Sequence, residues 1–340
     1  MQSERKVIVY IPQEKGDKAV RELRFTLQDK IKGFEKVFGD ITIDAERHCI
    51  KVLKESQYKY GWESDKEYKN NIEKTCRTSL ALFESRLDEG KELAMDSVNN
   101  YLLQLPKNYF KLYNQRTIEE CAYALMLASK ATDVDFNGDI KDLGYGALDW
   151  LKHYRKERNL KWWGIRQAER KMVTVYNAIY EAKKKGLIET PEERFWLEDP
   201  WEYFEKLSKH HSGFKSDGLP ESLGGNVNTF VTAQAMSIYR EKGSKDVANE
   251  LKKHLVELNK RNAWPFEKGD LNDVNATGLA MSALKDVKEK EISKIIKNGT
   301  KWLCAVLPQI EIKKDTTKIN FAKYNMIAAN GILGLSAYGK

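Results

Sequence analysis

An aromatic residue, or a histidine in its place, recurs along this chain about every fifty residues and is followed each time by apolar residues. These markers are separated by 49, 53, 51 and 48 residues, at Tyr101, Trp150, Tyr203, His254 and Trp302. Self-similarity at such a period indicates a repeat architecture, in which each unit buries its apolar face against its neighbours. The chain of 340 residues has room for six such units.

Each unit reads as a hairpin of two different helices. The first helix is amphipathic, with Lys and Glu along one face, as in residues 247–259 and 292–307. The second is rich in small residues and apolar on nearly every side, as in residues 275–284. A helix that is apolar all round must be buried, whereas a helix with a charged stripe faces water. The pattern therefore predicts outer amphipathic helices around an inner layer of apolar ones.

Six hairpins can close into a ring, so that the first unit packs against the last and leaves no apolar edge open. The sequence thus predicts an all-α fold, an (α/α)6 toroid forming one domain over residues 1–340. In the first unit, residues 17–38 read as the outer helix and residues 70–87 as the inner one. Alternating β-branched residues between them predict a small β-hairpin insertion at residues 40–55, to which residues 6–11 add a strand.

Composition narrows the class of protein. Hydrophobic residues make up 41% of the chain and charged residues 32%, which excludes intrinsic disorder. No run approaches eighteen apolar residues, and no secretory signal is readable, so a cytoplasmic protein is expected. The four cysteines form no metal-type spacing and are expected to be buried thiols: Cys49, Cys76, Cys121 and Cys304. The sequence implies no metal and no cofactor.

The most specific stretch is the turn Trp264-Pro265-Phe266, followed by a polar loop and a small-residue helix that begins near Asp273. It resembles the terpenoid cyclase and protein prenyltransferase superfamily, including its squalene-cyclase-type repeats, and the likeness covers roughly residues 60–340. The resemblance implies a turn tryptophan and an inner helix that carries the acid motif Asp-x-Asp-Asp-Thr of class II cyclases. Asp273 matches the first aspartate and Thr277 the threonine.

The motif is degenerate, because Asn275 stands where the proton-donating aspartate belongs and Ala276 stands at the third aspartate. An amide cannot supply the proton that alkene protonation requires. Asp270 could shift the acid pair by one turn, so the resemblance leaves Asp273 and Asp270 as the catalytic candidates. The zinc ligands of the prenyltransferase branch have no counterpart at the spacing of that family.

The starts of the six inner helices are expected to gather at one end of the ring and to form a shared mouth. Their positive dipole ends would favour an anionic or hydrogen-bonding ligand there. The candidate ligand-binding residues are polar or basic side chains at these starts, with two inner-helix aromatics: Arg166, Arg170, Asn228, Asn275, Lys323, Asn325, Tyr176 and Tyr324.

Several functions are compatible with this pattern. The first is a non-catalytic toroid that binds a partner protein or an anionic or polar ligand at its mouth. The alternative is a class II-type terpene cyclase that acts on an isoprenoid with an Asp general acid. Carbohydrate processing would need two carboxylates at glycosidase separation, from the pool Glu73, Glu119, Glu120, Glu169 and Asp273. Nucleic-acid binding would use the basic and aromatic cluster at residues 152–171.

Overall fold

The chain is predominantly α-helical, which confirms the prediction of an all-α fold. The computed structural model describes residues 4–12, 18–26, 34–62, 71–111, 117–157, 169–188, 227–242, 245–309 and 321–338.

Eleven α-helices lie within these described ranges. They are α1 (Phe34–Ser56), α2 (Ile72–Phe83), α3 (Asp88–Ser97), α4 (Ile118–Lys130), α5 (Ile140–Glu157), α6 (Glu169–Lys184), α7 (Thr229–Lys242), α8 (Lys245–Leu258), α9 (Val274–Leu284), α10 (Lys290–Val306) and α11 (Phe321–Ser336). A π-helical turn at Val98–Leu102 extends α3, and short 3-10 turns lie at Tyr109–Lys111 and Leu307–Gln309.

The N-terminal region differs from the expectation. Strand β1 (Glu4–Pro12) includes residues 6–11, where a strand was expected. It pairs antiparallel with β2 (Lys18–Thr26), which lies where an outer helix was expected to begin. The predicted β-hairpin at residues 40–55 is wrong, because this segment forms most of α1. Its β-branched residues favour a strand locally, but its buried residues Phe38, Ala45 and Cys49 recur at helical spacing. The burial of that helical face overrides the local preference.

Six of the helices contact one another in a cyclic order. α2 packs against α4, α4 against α6, α6 against α7, α7 against α9, α9 against α11, and α11 against α2. Alanines on these helices are buried, as inner helices require: Ala233 is 2% exposed, Ala280 0% and Ala328 1%. We call these six the inner helices.

The remaining helices cover the inner ones from outside. α5 packs against α4, α8 against α7, and α3 against α2, while α10 contacts both α9 and α11. α10 illustrates the amphipathic character of these helices, because Ile292, Ile296 and Leu303 are buried while Lys294 on its other face is exposed. α1 packs against α11, so the N-terminal and C-terminal helices are neighbours.

α9 and α11 approach each other closely at two glycines. A Cβ atom added to Gly278 would lie 1.9 Å from the backbone oxygen of Asn330, so only glycine fits. Gly334 on α11 approaches the same place, with its own added Cβ 3.0 Å from the Gly278 Cα. These glycines allow the two backbones to touch.

Candidate functional site

A cavity of about 170 Å³ lies between the six inner helices, and each of them contributes to its wall. The lining residues are Arg77, Leu80, Glu84, Tyr123, Met126, Lys130, Asn177, Glu181, Ala233, Gln234, Ser237, Arg240, Leu279, Ser282, Ala283, Lys285, Asn330 and Leu333. Because every inner helix takes part, we call this space the central cavity.

The lining residues stand in the middle and the carboxyl-terminal half of each inner helix. α4, for example, begins at Ile118 and contributes Tyr123, Met126 and Lys130. The expected mouth at the helix starts would lie at the other end of these helices. Of the predicted site residues whose side chains the structure describes, none lines the central cavity.

Three of the four cations in the lining are paired with acceptors. The Arg77 guanidinium lies 3.0 Å from the Glu73 carboxylate and 5.0 Å from the centroid of the Tyr123 ring. Burial acts to lower the pKa of Arg77, but Tyr123, Glu73 and Glu119 raise it above its usual value. Arg77 therefore stays charged and paired.

Two further cations of the lining lie near the carboxyl-terminal ends of the inner helices. Arg240 Nη1 donates a hydrogen bond of 2.8 Å to the backbone oxygen of Ala283, and its Nη2 lies 3.4 Å from Asp286. Lys285 Nζ lies 2.8 Å from a carboxylate oxygen of Glu84 and so joins the ends of α9 and α2, which flank α11. Cations at the carboxyl ends of helices also offset the negative ends of the helix dipoles.

Three amide side chains in the lining keep hydrogen-bonding capacity. Gln234 Oε1 accepts a hydrogen bond of 3.3 Å from the Thr174 hydroxyl, so the NH₂ group of Gln234 can still donate to a ligand. Asn330 Nδ2 donates a hydrogen bond of 2.9 Å to Asn275, so the side-chain oxygen of Asn330 can still accept one. Within the described ranges, Asn177 makes no hydrogen bond with its side chain. We call Asn177, Gln234 and Asn330 the cavity amides.

The two catalytic candidates lie outside the cavity lining. Asp270 is exposed in the loop before α9. Asp273 is 4% exposed and forms the N-cap of α9, where its Oδ1 accepts a hydrogen bond of 2.9 Å from the Ala276 N–H. Burial raises the pKa of Asp273 to about 6, although hydrogen bonds from Ala276 and Asn275 act to lower it.

Asp273 belongs to a hydrogen-bonded turn built around Trp264. The Trp264 indole N–H donates to the backbone oxygen of Leu255 at 2.6 Å, and its backbone N–H donates to the Thr277 hydroxyl at 3.0 Å. The Asp273 backbone N–H donates in turn to the Trp264 carbonyl at 2.9 Å. A bridged turn with left-handed Arg261 and Asn262 precedes the tryptophan.

The same arrangement occurs between α1 and α2. The Trp62 indole N–H donates to the Leu53 carbonyl at 3.0 Å, its backbone N–H donates to the Thr75 hydroxyl at 3.1 Å, and its carbonyl accepts from the Asn71 N–H at 2.9 Å. Asn71 caps α2 by accepting a hydrogen bond of 3.0 Å from the Lys74 N–H. We call each copy a tryptophan turn.

Asn228 is also a buried capping residue. Its Oδ1 accepts a hydrogen bond of 3.1 Å from the Val231 N–H at the start of α7. Asn325 on α11 is buried as well, and its oxygen accepts a hydrogen bond from the Ser56 hydroxyl at the end of α1. Tyr176 is fully buried in the core. These three predicted ligand-binding residues therefore contribute to packing and helix ends.

Asn275 contacts the wall of the central cavity through Asn330. It accepts the hydrogen bond from Asn330, and its side chain also hydrogen bonds to Asp273. Asn275 thus connects the cap of α9 with the cavity wall.

Several predicted residues have no described side chain. Arg166 lies outside the described residues, and for Arg170, Lys323 and Tyr324 only the helical backbone is described. The basic cluster at residues 152–171 lies partly outside as well.

The sequence reasoning missed the cavity amides. Each is an amide flanked by apolar residues inside an inner helix, as in the segment Met326–Ile332 around Asn330. A polar side chain on a helix that is buried on all sides must contact another polar group or face a cavity. An amide within a buried helix was therefore the sequence feature that could have indicated the cavity.

The described residues contain neither a candidate metal site nor a candidate membrane-spanning helix. There, no three His, Cys, Asp or Glu side chains come together in a group that could hold a metal ion. The four cysteines are buried and unbridged, and burial raises the pKa of the Cys304 thiol to about 12. Within the described ranges, no helix has the length and apolar character needed to span a bilayer.

No protein-family profile and no curated protein matches the chain. Solved structures of the type II terpene cyclase MstE from Scytonema do match, one with its substrate geranylgeranyl dihydroxybenzoate and one without ligand. Each match covers 88% of this chain and 97% of the cyclase chain, with a TM-score of 0.53 and 12% sequence identity. The chain therefore has a terpenoid cyclase-like fold.

Proposed function

We propose that the chain forms a single-domain (α/α)6 toroid that binds a small ligand in its central cavity without catalysing isoprenoid cyclisation. The cyclic packing of the six inner helices and the likeness to a type II terpene cyclase support the toroid. Residues 189–226, which include the marker Tyr203, lie outside the described residues. Ring closure supplies one cavity shared by all six inner helices.

The observation that carries the non-catalytic proposal is the pair of tryptophan turns. Asp273 and Asn71 perform the same capping task in the two copies, and an amide oxygen serves as well there as a carboxylate. The carboxylate of Asp273 is engaged by the Ala276 N–H and is not part of the cavity lining. A general acid must instead reach the atom that it protonates.

The size of the cavity supports the same proposal. Pockets for drug-sized ligands have volumes of about 300–1,000 Å³, and the central cavity has about 170 Å³. A cavity of about 150 Å³ holds a benzene molecule. The volume therefore suits a ligand with one six-membered ring better than a twenty-carbon isoprenoid.

Incubation of the purified protein with geranylgeranyl diphosphate and with squalene, followed by mass spectrometry, tests this proposal. We expect no cyclised product from either substrate. A product that forms with the native chain and disappears in Asp273→Asn would overturn the proposal.

A class II-type terpene cyclase is the second candidate function. Two observations favour it: the burial that raises the pKa of Asp273 to about 6, and the Asn275 side chain that links Asp273 to Asn330 in the cavity wall. In this case Asp273 would be the general acid and Asp270 a supporting carboxylate. The same incubation distinguishes the two functions, with Asp270→Asn as a further variant.

Two other expectations remain proposals. A partner protein would bind at the mouth that the starts of the inner helices are expected to form. An anionic ligand at the helix starts would require the side chains of Arg166, Arg170 and Lys323.

A further inference from the structure

We infer that the central cavity selects a small, neutral, planar ligand that both donates and accepts hydrogen bonds, of the class of aromatic amides and amide-like nitrogen heterocycles. The inference rests on the proposed binding function and names the ligand class for that same cavity. It follows from the chemistry of the lining.

The first step concerns the uncommitted polar groups. The Gln234 NH₂ group offers donors, the Asn330 oxygen offers an acceptor, and the Asn177 side chain offers both. Gln234 lies on α7 beside α6, which carries Asn177, whereas Asn330 lies on α11 farther around the ring. A ligand between them meets donors and acceptors from more than one side.

The second step concerns charge. Arg77, Arg240 and Lys285 are paired with Glu73, Asp286 and Glu84, respectively. The two other charged lining residues, Lys130 and Glu181, have opposite signs. The charges of the lining residues and of their paired carboxylates sum to zero. A charged ligand would therefore lose its hydration without a net opposite charge to replace it, and burial of an unpaired charge is costly. The lining therefore favours a neutral ligand.

The third step concerns shape. Leu80, Met126, Leu279 and Leu333 supply apolar surface from four different helices. Such surface suits the faces of a ring, while amide groups recognise an edge that presents a donor next to an acceptor. With a volume of about 170 Å³, the cavity has room for one ring and one small polar group.

Four probes that share one six-membered ring separate these requirements: benzamide, benzoate, benzylammonium and toluene. Binding to the full-length protein is measured by isothermal titration calorimetry and by ligand-observed NMR. We expect benzamide to bind, and the other three probes to bind at least tenfold more weakly. Equal or tighter binding of benzoate, benzylammonium or toluene overturns the inference but leaves the proposed function standing.

Variants locate the site on the same protein. Asn177→Leu and Gln234→Met keep the side-chain size and remove hydrogen-bonding groups, so each is expected to weaken benzamide binding at least fivefold. Asn249→Leu makes the matched change on an exposed surface of α8 and is expected to leave binding unchanged. Unchanged benzamide binding in both cavity variants, or no benzamide binding by the native chain, overturns the inference. The isoprenoid incubation tests the absence of catalysis separately.

Discussion

Asn71 and Asp273 occupy the same position in two copies of one hydrogen-bonded turn. Each residue follows its tryptophan by nine positions, donates its backbone N–H to the tryptophan carbonyl, and caps the next inner helix with a side-chain oxygen. One copy uses a neutral amide and the other a buried carboxylate. The capping geometry therefore does not require the charge of Asp273, and this equivalence yields the first prediction.

The Asp273→Asn substitution is expected to stabilise the fold at neutral pH. Burial raises the pKa of Asp273 from 3.8 to about 6, so the folded state binds the proton more tightly than the unfolded chain. The native chain thus loses stability from this group as the pH rises from about 4 to above 6. An asparagine avoids the loss, which amounts to at most about 3 kcal/mol. Urea unfolding at pH 4.5 and pH 7.5 measures the effect. Lower stability of the variant at pH 7.5 would show that the charge supports the cap.

Thr75→Val and Thr277→Val test the two tryptophan turns. Each threonine hydroxyl accepts the backbone N–H of a buried tryptophan, and valine leaves that N–H without a partner. We expect each change to lower the free energy of unfolding by about 1–3 kcal/mol, measured by urea unfolding.

The matched control is Thr300→Val on α10. Its hydroxyl is buried but only donates to the Ile296 carbonyl, so its removal leaves no backbone donor unpaired. The control is expected to lose less stability than either turn variant, and an equal loss in all three would contradict the role of the hydroxyls in the turns.

Gly278→Ala and Gly39→Ala are expected to have opposite effects. An added Cβ at Gly278 would overlap the Asn330 backbone oxygen, so α9 and α11 would have to separate at a cost of about 3 kcal/mol. Gly39 is exposed within α1, with no atom within 4 Å of an added Cβ. Alanine there favours the helix by about 0.5–1 kcal/mol. Thermal unfolding of the two variants compares them directly. A stable Gly278→Ala variant would rule out the close backbone contact.

His254→Leu is expected to raise the free energy of unfolding by about 1–2 kcal/mol. The imidazole is 3% exposed, and neither ring nitrogen has a hydrogen-bond partner among the described residues. A carboxylate oxygen of Glu257 lies 3.7 Å from Nδ1. An unpaired buried polar group costs stability that a leucine of similar size avoids. Chemical unfolding at pH 7.5 measures the change, and a destabilised variant would reveal a favourable contact of the imidazole.

Helical periodicity was sufficient to predict an all-α fold, because burial of a helix on all sides or on one side leaves a direct mark on its composition. α9 and α10 show the two patterns. The N-terminal segment misled the prediction because Ile41, Thr42 and Ile43 favour a strand locally, whereas α1 is selected by its packing against α11. Such a long-range contact is invisible to a reading of neighbouring residues.

The site was harder to predict than the fold. Polar residues at helix starts, such as Asn228 and Asp273, cap their helices. The same residue types also bind ligands, so residue type alone does not distinguish the two roles. The cavity amides stand in the middle of inner helices, and their facing a common space depends on the packing of six helices. The equivalence of Asn71 and Asp273 lies in backbone hydrogen bonds, which the side-chain identities conceal.

The packing of α11 against α1 and α2 also has a consequence for biosynthesis. α11 begins about 240 residues after α2 ends, so α1 and α2 leave the ribosome long before the helix that packs against them. Their apolar faces stay uncovered until α11 has been translated, and contacts of such high sequence separation form slowly. A nascent chain of this kind depends on protection from aggregation until α11 has emerged.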